Sequence, residues 1–153
     1  MAHKIKLNKQ TENIEIDAGE DSIVLNIKTD DDNIERMLTM VGNAMDRFAS
    51  LQHKIDTEES EEGLQDAKQA MVRLQKRCIT AIVGEEGYND ILLLMSDDDE
   101  PVDPTNNIVN IGDVFAALTT WLYDHCTAKQ LRDAGVYFDK QKVNISKKKR
   151  KKK

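Results

Sequence analysis

Cysteine, proline and aromatic side chains are all scarce in this chain: two Cys, two Pro, and Phe, Tyr and Trp together at 5% of 153 residues. Cys78 and Cys126 both sit inside apolar helical patterns, with no Cys-x-x-Cys spacing and no His-rich partner set. That argues against a disulfide or a zinc site and for two small core residues in a reducing compartment. Long apolar runs are missing as well. None approaches the roughly 18 to 20 residues of a membrane span, and the start MAHKIKLNKQ lacks the apolar stretch of a signal peptide. A cytoplasmic protein with no membrane partner is the expectation.

Catalytic signatures are equally thin. The chain has no Gly-rich phosphate loop, no nucleophile elbow and no His-Glu-x-x-His. His3 lies in the terminus, and His53, near Asp56 on a helix, reads as an exposed or lightly paired imidazole. His125 adjoins Cys126, but neighbours on a helix point about 100° apart and do not easily clasp one metal. Asp97 and Asp99 open like a calcium loop; Pro101 and Val102 then stand where the turn needs Gly, and Ile108 stands where the bidentate Glu belongs. No catalytic residue, cofactor or metal is expected, and the chain reads as non-enzymatic.

What is abundant is charge, at 33% of residues against 39% hydrophobic. This is too apolar for a disordered chain and rather polar for a compact enzyme; it suits a helix-rich binding protein with wide solvated faces. The charge is unevenly placed. Lys147, Lys148, Lys149, Arg150, Lys151, Lys152 and Lys153 are consecutive, and without these seven the remainder holds 15 Lys+Arg against 28 Asp+Glu, near −13. We expect one helix-rich domain over residues 1–140 and a disordered basic tail over 141–153. The tail has three readings. It could bind phosphate backbones or anionic surfaces with salt-dependent affinity, or act as an import signal. No aromatics are interleaved for base stacking, and the acidic body would repel nucleic acid beyond the tail's reach. Lysine codons are also adenine-rich, as ribosomal slippage sites often are.

Along the chain, Lys4 to Leu7 and Asn13 to Ile16 alternate polar with apolar, and Ser22 to Ile27 is a β-branched run, so residues 4–28 read as a small antiparallel hairpin or three-stranded sheet. A helix over about 31–56 follows Asp30, with Ile34, Met37, Leu38, Val41, Met45, Phe48 and Ile55 on one stripe. A second starts near Thr57 or Ser60, carries Leu64, Ala67, Met71, Leu74, Cys78, Ala81 and Ile82, and stops at Gly84. Two such stripes across a short connection describe an antiparallel helical hairpin. Tyr88 to Met95 is a short apolar segment, and residues 96–104, with two prolines and five acids, read as a solvated loop. The helical period returns from 111 to about 132, with Phe115, Leu118, Trp121 and Leu122 together and Gly135 as terminator; Trp121 is either core or a partner anchor, and Val136 to Phe138 could pack back on the body. The fold class is α+β, mainly α: a small N-terminal antiparallel β element, a long two-helix hairpin and a further C-terminal helix.

The segment Arg77-Cys78-Ile79-Thr80-Ala81-Ile82-Val83-Gly84-Glu85-Glu86-Gly87-Tyr88-Asn89-Asp90-Ile91-Leu92, after two long helices and an N-terminal strand pair, resembles small tail assembly chaperones of siphophages and related prophages. Members commonly close a helix with a Gly-Glu-x-Gly-like turn, then an aromatic or small residue and an apolar pair. The likeness covers the order of elements over about residues 5–130. It implies a non-enzymatic chaperone in the host cytoplasm that coats the tape measure protein, keeps its apolar faces from aggregating and yields it to major tail protein, with self-association possible. It also implies an expected origin for the lysine run, since such genes often end just after a slippery stretch. Tyr88 and Ile91, behind the double-glycine turn, are the expected partner contacts. The alternative is an adaptor that binds nucleic acid or anionic surfaces through Lys147 to Lys153.

Overall fold

The computed structural model describes residues 2, 3 and 10–133. The possible strand at Lys4 to Leu7, Gly135, the Val136 to Phe138 segment and the whole basic tail lie outside these residues. What is described is mainly helical, with one two-stranded sheet.

Strands β1 (Thr11–Ala18) and β2 (Asp21–Lys28) pair antiparallel, Ala18 opposite Asp21 and Ile14 opposite Leu25. Gly19 and Glu20 form the two-residue link. Gly19 has φ +68° and no non-glycine residue has positive φ, so the positive angle falls at the first central position alone, as in a II′ hairpin. The strict alternation puts Glu12, Ile14 and Ile16 beside Ile23, Leu25 and Ile27 on one face. Leu25 and Ile27 are buried on that face, and β2 packs on the second helix. An isolated hairpin is marginal in water, so this helix contact is what holds the sheet.

Helix α1 spans Asp31–Thr57 and α2 spans Glu61–Leu94, antiparallel across Glu58 to Ser60. The connection is tied locally. Glu58 Oε1 accepts from the Ser60 amide at 3.2 Å and from its hydroxyl at 2.8 Å, and Ser60 Oγ accepts from the Gly63 amide at 3.1 Å as the α2 N-cap. At 1.5 Å per residue, α1 and the limb of α2 before Gly84 are each roughly 35 to 40 Å long.

Gly84 does not end α2, contrary to the expectation from sequence. Its angles (φ 81°, ψ 169°) break the helix, and a second helical limb runs on from there to Leu94, where the sequence suggested only a short apolar segment. Those angles belong to a region essentially reserved for glycine. Gly87 answers a different need: a Cβ there would lie 2.8 Å from Val83 Cβ and 3.5 Å from Leu25 Cδ2, so its missing side chain lets the second limb approach both. Arg36 of α1 donates to the Ala81 carbonyl, one turn before the break, at 3.4 Å.

After Leu94 the acids act as local acceptors. Asp98 Oδ1 takes the Ser96 hydroxyl at 2.7 Å and the Glu100 amide at 2.9 Å; Asp103 Oδ1 takes the Thr105 amide at 3.0 Å, opening a 3-10 turn at Pro104–Asn106. Then α3 runs Ile108–His125 and α4 Ala128–Asp133. The single helix expected over 111 to 132 is therefore two. Thr127 Oγ1 accepts from the Gln130 amide at 3.1 Å and Gln130 Oε1 accepts from the Thr127 amide at 2.9 Å, a reciprocal capping box that starts a new helix. Helix α2 is central: it packs against α1, β2 and α3, and the core gathers Ile27, Leu38, Val41, Cys78, Ile79, Ile91, Ile111 and Leu122 around it.

Candidate functional site

Helices α1 and α3 both lie on α2, and between them they leave a groove of about 590 Å³. Its α1 wall is Met45, Phe48, Ala49 and Gln52, spaced i, i+3, i+4 and i+7; its α3 wall runs from Gly112 through Ala116 and Thr120 to Tyr123; its floor is Met71 and Gln75 of α2. Phe48 and Phe115 meet across it, ring centroids 4.8 Å apart and tilted 33°. Eleven residues separate Gly112 from Tyr123, so the groove is about 16 Å long, or three helical turns.

Two polar groups on this apolar surface are buried and incompletely bonded. Gln75, 3% exposed, donates through Nε2 to the Ile108 carbonyl at 3.1 Å, which ties α3 to α2, while its Oε1 has no partner. Thr119, 6% exposed, has an unpartnered Oγ1. A buried acceptor or hydroxyl left unbonded costs about 1 to 3 kcal/mol relative to a bonded one.

A second cleft, about 610 Å³, opens where β1, the start of α1 and the α3–α4 junction meet. It is polar, lined by Glu12, Asp30, Thr127 and Gln130 among others, and His125 Nδ1 stands 3.5 Å from Glu12 Oε1 at its edge. His125 also stacks on Trp121, with centroids 5.1 Å apart and 14° between planes. Trp121 itself is half-buried against the core. Among the described residues no group of three or more His, Cys, Asp or Glu is placed to hold a metal ion, and no helix is long and apolar enough to cross a membrane.

The residues expected to contact a partner are placed elsewhere. Tyr88 is 2% and Ile91 1% exposed, packed in the core by the second limb of α2. Neither is reachable while that layer is closed, which corrects the expectation of a surface contact; the apolar residues behind the double glycine fold inward because Gly87 lets the limb lie close to β2. Burial pushes the Tyr88 phenol up, and its hydroxyl has no hydrogen-bond partner, while Lys76 Nζ stands 5.8 Å from the ring centroid. Lys147 to Lys153 lie outside the described residues. Cys78 and Cys126 are free thiols, each pushed up to about 11 by burial, so neither is a nucleophile near neutral pH.

Sequence reasoning placed Met45, Phe48 and Phe115 on apolar stripes but did not see that they frame an opening. The available signal was the small and hydroxyl side of α3: Gly112, Ala116, Thr119 and Thr120 recur at i, i+4, i+7 and i+8 beside the bulky stripe. Comparison with models of protein families, with curated proteins and with solved structures found no match to this chain.

Proposed function

We propose that this chain is a non-enzymatic binding protein, a tail assembly chaperone of the siphophage and prophage kind. In this reading it works in the host cytoplasm, binds the tape measure protein and helps recruit major tail protein. The observation that supports it best is the three-turn apolar groove on a long helical hairpin. A groove of that shape fits an amphipathic helix laid in by its apolar face, and a tape measure protein is long and helical. The strongly acidic body would keep crowded complexes soluble.

Co-expression tests the reading. With the tape measure gene from the same locus, the full chain is expected to move most of that product from the pellet into the soluble fraction, and deleting residues 147–153 is expected to change this little. A tape measure product equally insoluble with and without the chain overturns the reading. Loss of all binding on deleting the lysines, together with salt-sensitive retention of DNA or RNA, would instead support the adaptor.

A further inference from the structure

Four aspartates border the groove. On α3, Asp113, Ala116, Thr120 and Asp124 recur at i, i+3, i+7 and i+11, so the two acids lie on the stripe of the groove residues between them. On α1, Asp46 and Asp56 flank Ala49 at i−3 and i+7, and Asp56 Oδ1 accepts from the groove residue Gln52 at 2.9 Å. Arg47 and Lys54, a heptad apart, fall on the opposite side of α1, and α3 has no Lys or Arg. Lys68, one turn before Met71, is the basic residue on the floor helix. The wider surface agrees: all 28 Asp+Glu except Asp139 fall within residues 10–133, with only ten of the 22 Lys+Arg.

We propose that the groove takes one amphipathic helix of a partner protein, about three turns long, with an apolar stripe of mixed large and small residues, Lys or Arg along both flanks and a donor near the middle of the stripe. The bases would face Asp46, Asp56, Asp113 and Asp124, and the donor would reach Gln75 Oε1 or Thr119 Oγ1, both buried, unpartnered and lining the groove. A helix seated there completes a four-helix arrangement around α2. Two other occupants fit less well. A second copy would bring its own acidic α3 against these walls. Residues 134–153 carry the charge, but their large apolar residues, Val136, Tyr137, Phe138, Val143 and Ile145, form no three-turn i, i+3, i+4, i+7 series. This inference rests on the binding-protein reading above and adds the surface and the chemistry of the partner.

The test uses the full chain and two fluorescein-labelled helical peptides of about 18 residues with the same Leu/Ala stripe and central Gln, one flanked by Lys and one by Glu. Ala116 and Thr120 are exposed, so Ala116→Lys and Thr120→Lys add cations to the groove without disturbing the core. The Lys-flanked peptide is expected to bind at least about tenfold more tightly than the Glu-flanked one, and to weaken when salt rises from about 0.05 to about 0.5 M. Either variant should cut that binding about tenfold or more with the melting curve unchanged. Equal affinity for both peptides, binding to neither, or binding untouched by both variants overturns the proposal. So does a dimer that Ala116→Lys dissolves, which assigns the groove to a second copy. Peptide binding that appears only in Tyr137→Asp/Phe138→Asp assigns it to the chain's own segment and overturns it too. If Ala116→Lys abolishes peptide binding yet still solubilises the tape measure product, the chaperone reading stands and the groove is not its contact surface.

Discussion

The two halves of α1 share one apolar period and end differently. In the first half Ile34, Met37, Leu38, Val41 and Ala44 are buried. In the second, Met45, Phe48, Leu51 and Ile55 continue at the same spacing and are only half covered. The first half shares its layer with the second limb of α2 and with β2, through the common core; beyond Ala44 the described residues offer mainly α2 on one side and the edge of α3 on the other. The lesson is that a period marks a face, whereas coverage depends on what the rest of the chain brings to it. A face left half covered on a folded protein is where a partner can still gain apolar contact.

Mutations can break this contrast or sharpen it. Leu38→Ala, at a fully buried site, should cost about 3 kcal/mol, and Leu51→Ala on the half-covered stretch less than about 1 kcal/mol, read from urea midpoints at constant slope. Equal losses would mean that the distal half is covered after all. Gly84→Ala should cost about 1 to 3 kcal/mol, because alanine cannot hold φ 81° with ψ 169° without strain. If it is neutral, the second limb does not depend on the break, and the inward placement of Tyr88 and Ile91 loses its explanation.

Smaller effects follow at the ends of helices. Thr127→Ala removes one acceptor of the capping box and should cost about 1 kcal/mol, appearing as faster amide exchange confined to α4. The pH dependence should be slighter still. Asp30, Glu58 and Asp98 are each held below the ordinary carboxylate value, by the Asn33 side chain, by the Ser60 hydroxyl and by the Glu100 amide respectively. Because their folded values are lowered, their contribution is present above the unfolded values of 3.8 to 4.5 and disappears as pH falls through the folded ones. Acid melts should therefore show a shallow loss of stability beginning near pH 4 to 5, weakened in Ser60→Ala and unchanged in Ser50→Ala. An equal response in both variants would detach that loss from the α1–α2 turn.

Much of the architecture was legible before any coordinates. Alternation marked β1 and β2, the 3.6-residue period marked α1 and most of α2, and Ser60 with the acids behind it marked the α2 start. Two boundaries were misjudged for identifiable reasons. Gly84 carries the signal of a helix terminator, and nothing local distinguishes a glycine that ends a helix from one that redirects it; the apolar residues after it decide, by finding a core to enter. The α3–α4 break was written in the sequence as Thr127-x-x-Gln130, a start signal hidden by the apolar residues on either side.

The candidate site was far less legible. Local sequence determined which residues are apolar, how they repeat, where charge accumulates and which turns close, because these depend on side chains a few positions apart. Only the tertiary arrangement decided that Tyr88 and Ile91 are core and that Met45, Ala116 and Thr119 share an open groove, because coverage is set by residues up to about 70 positions away along the chain.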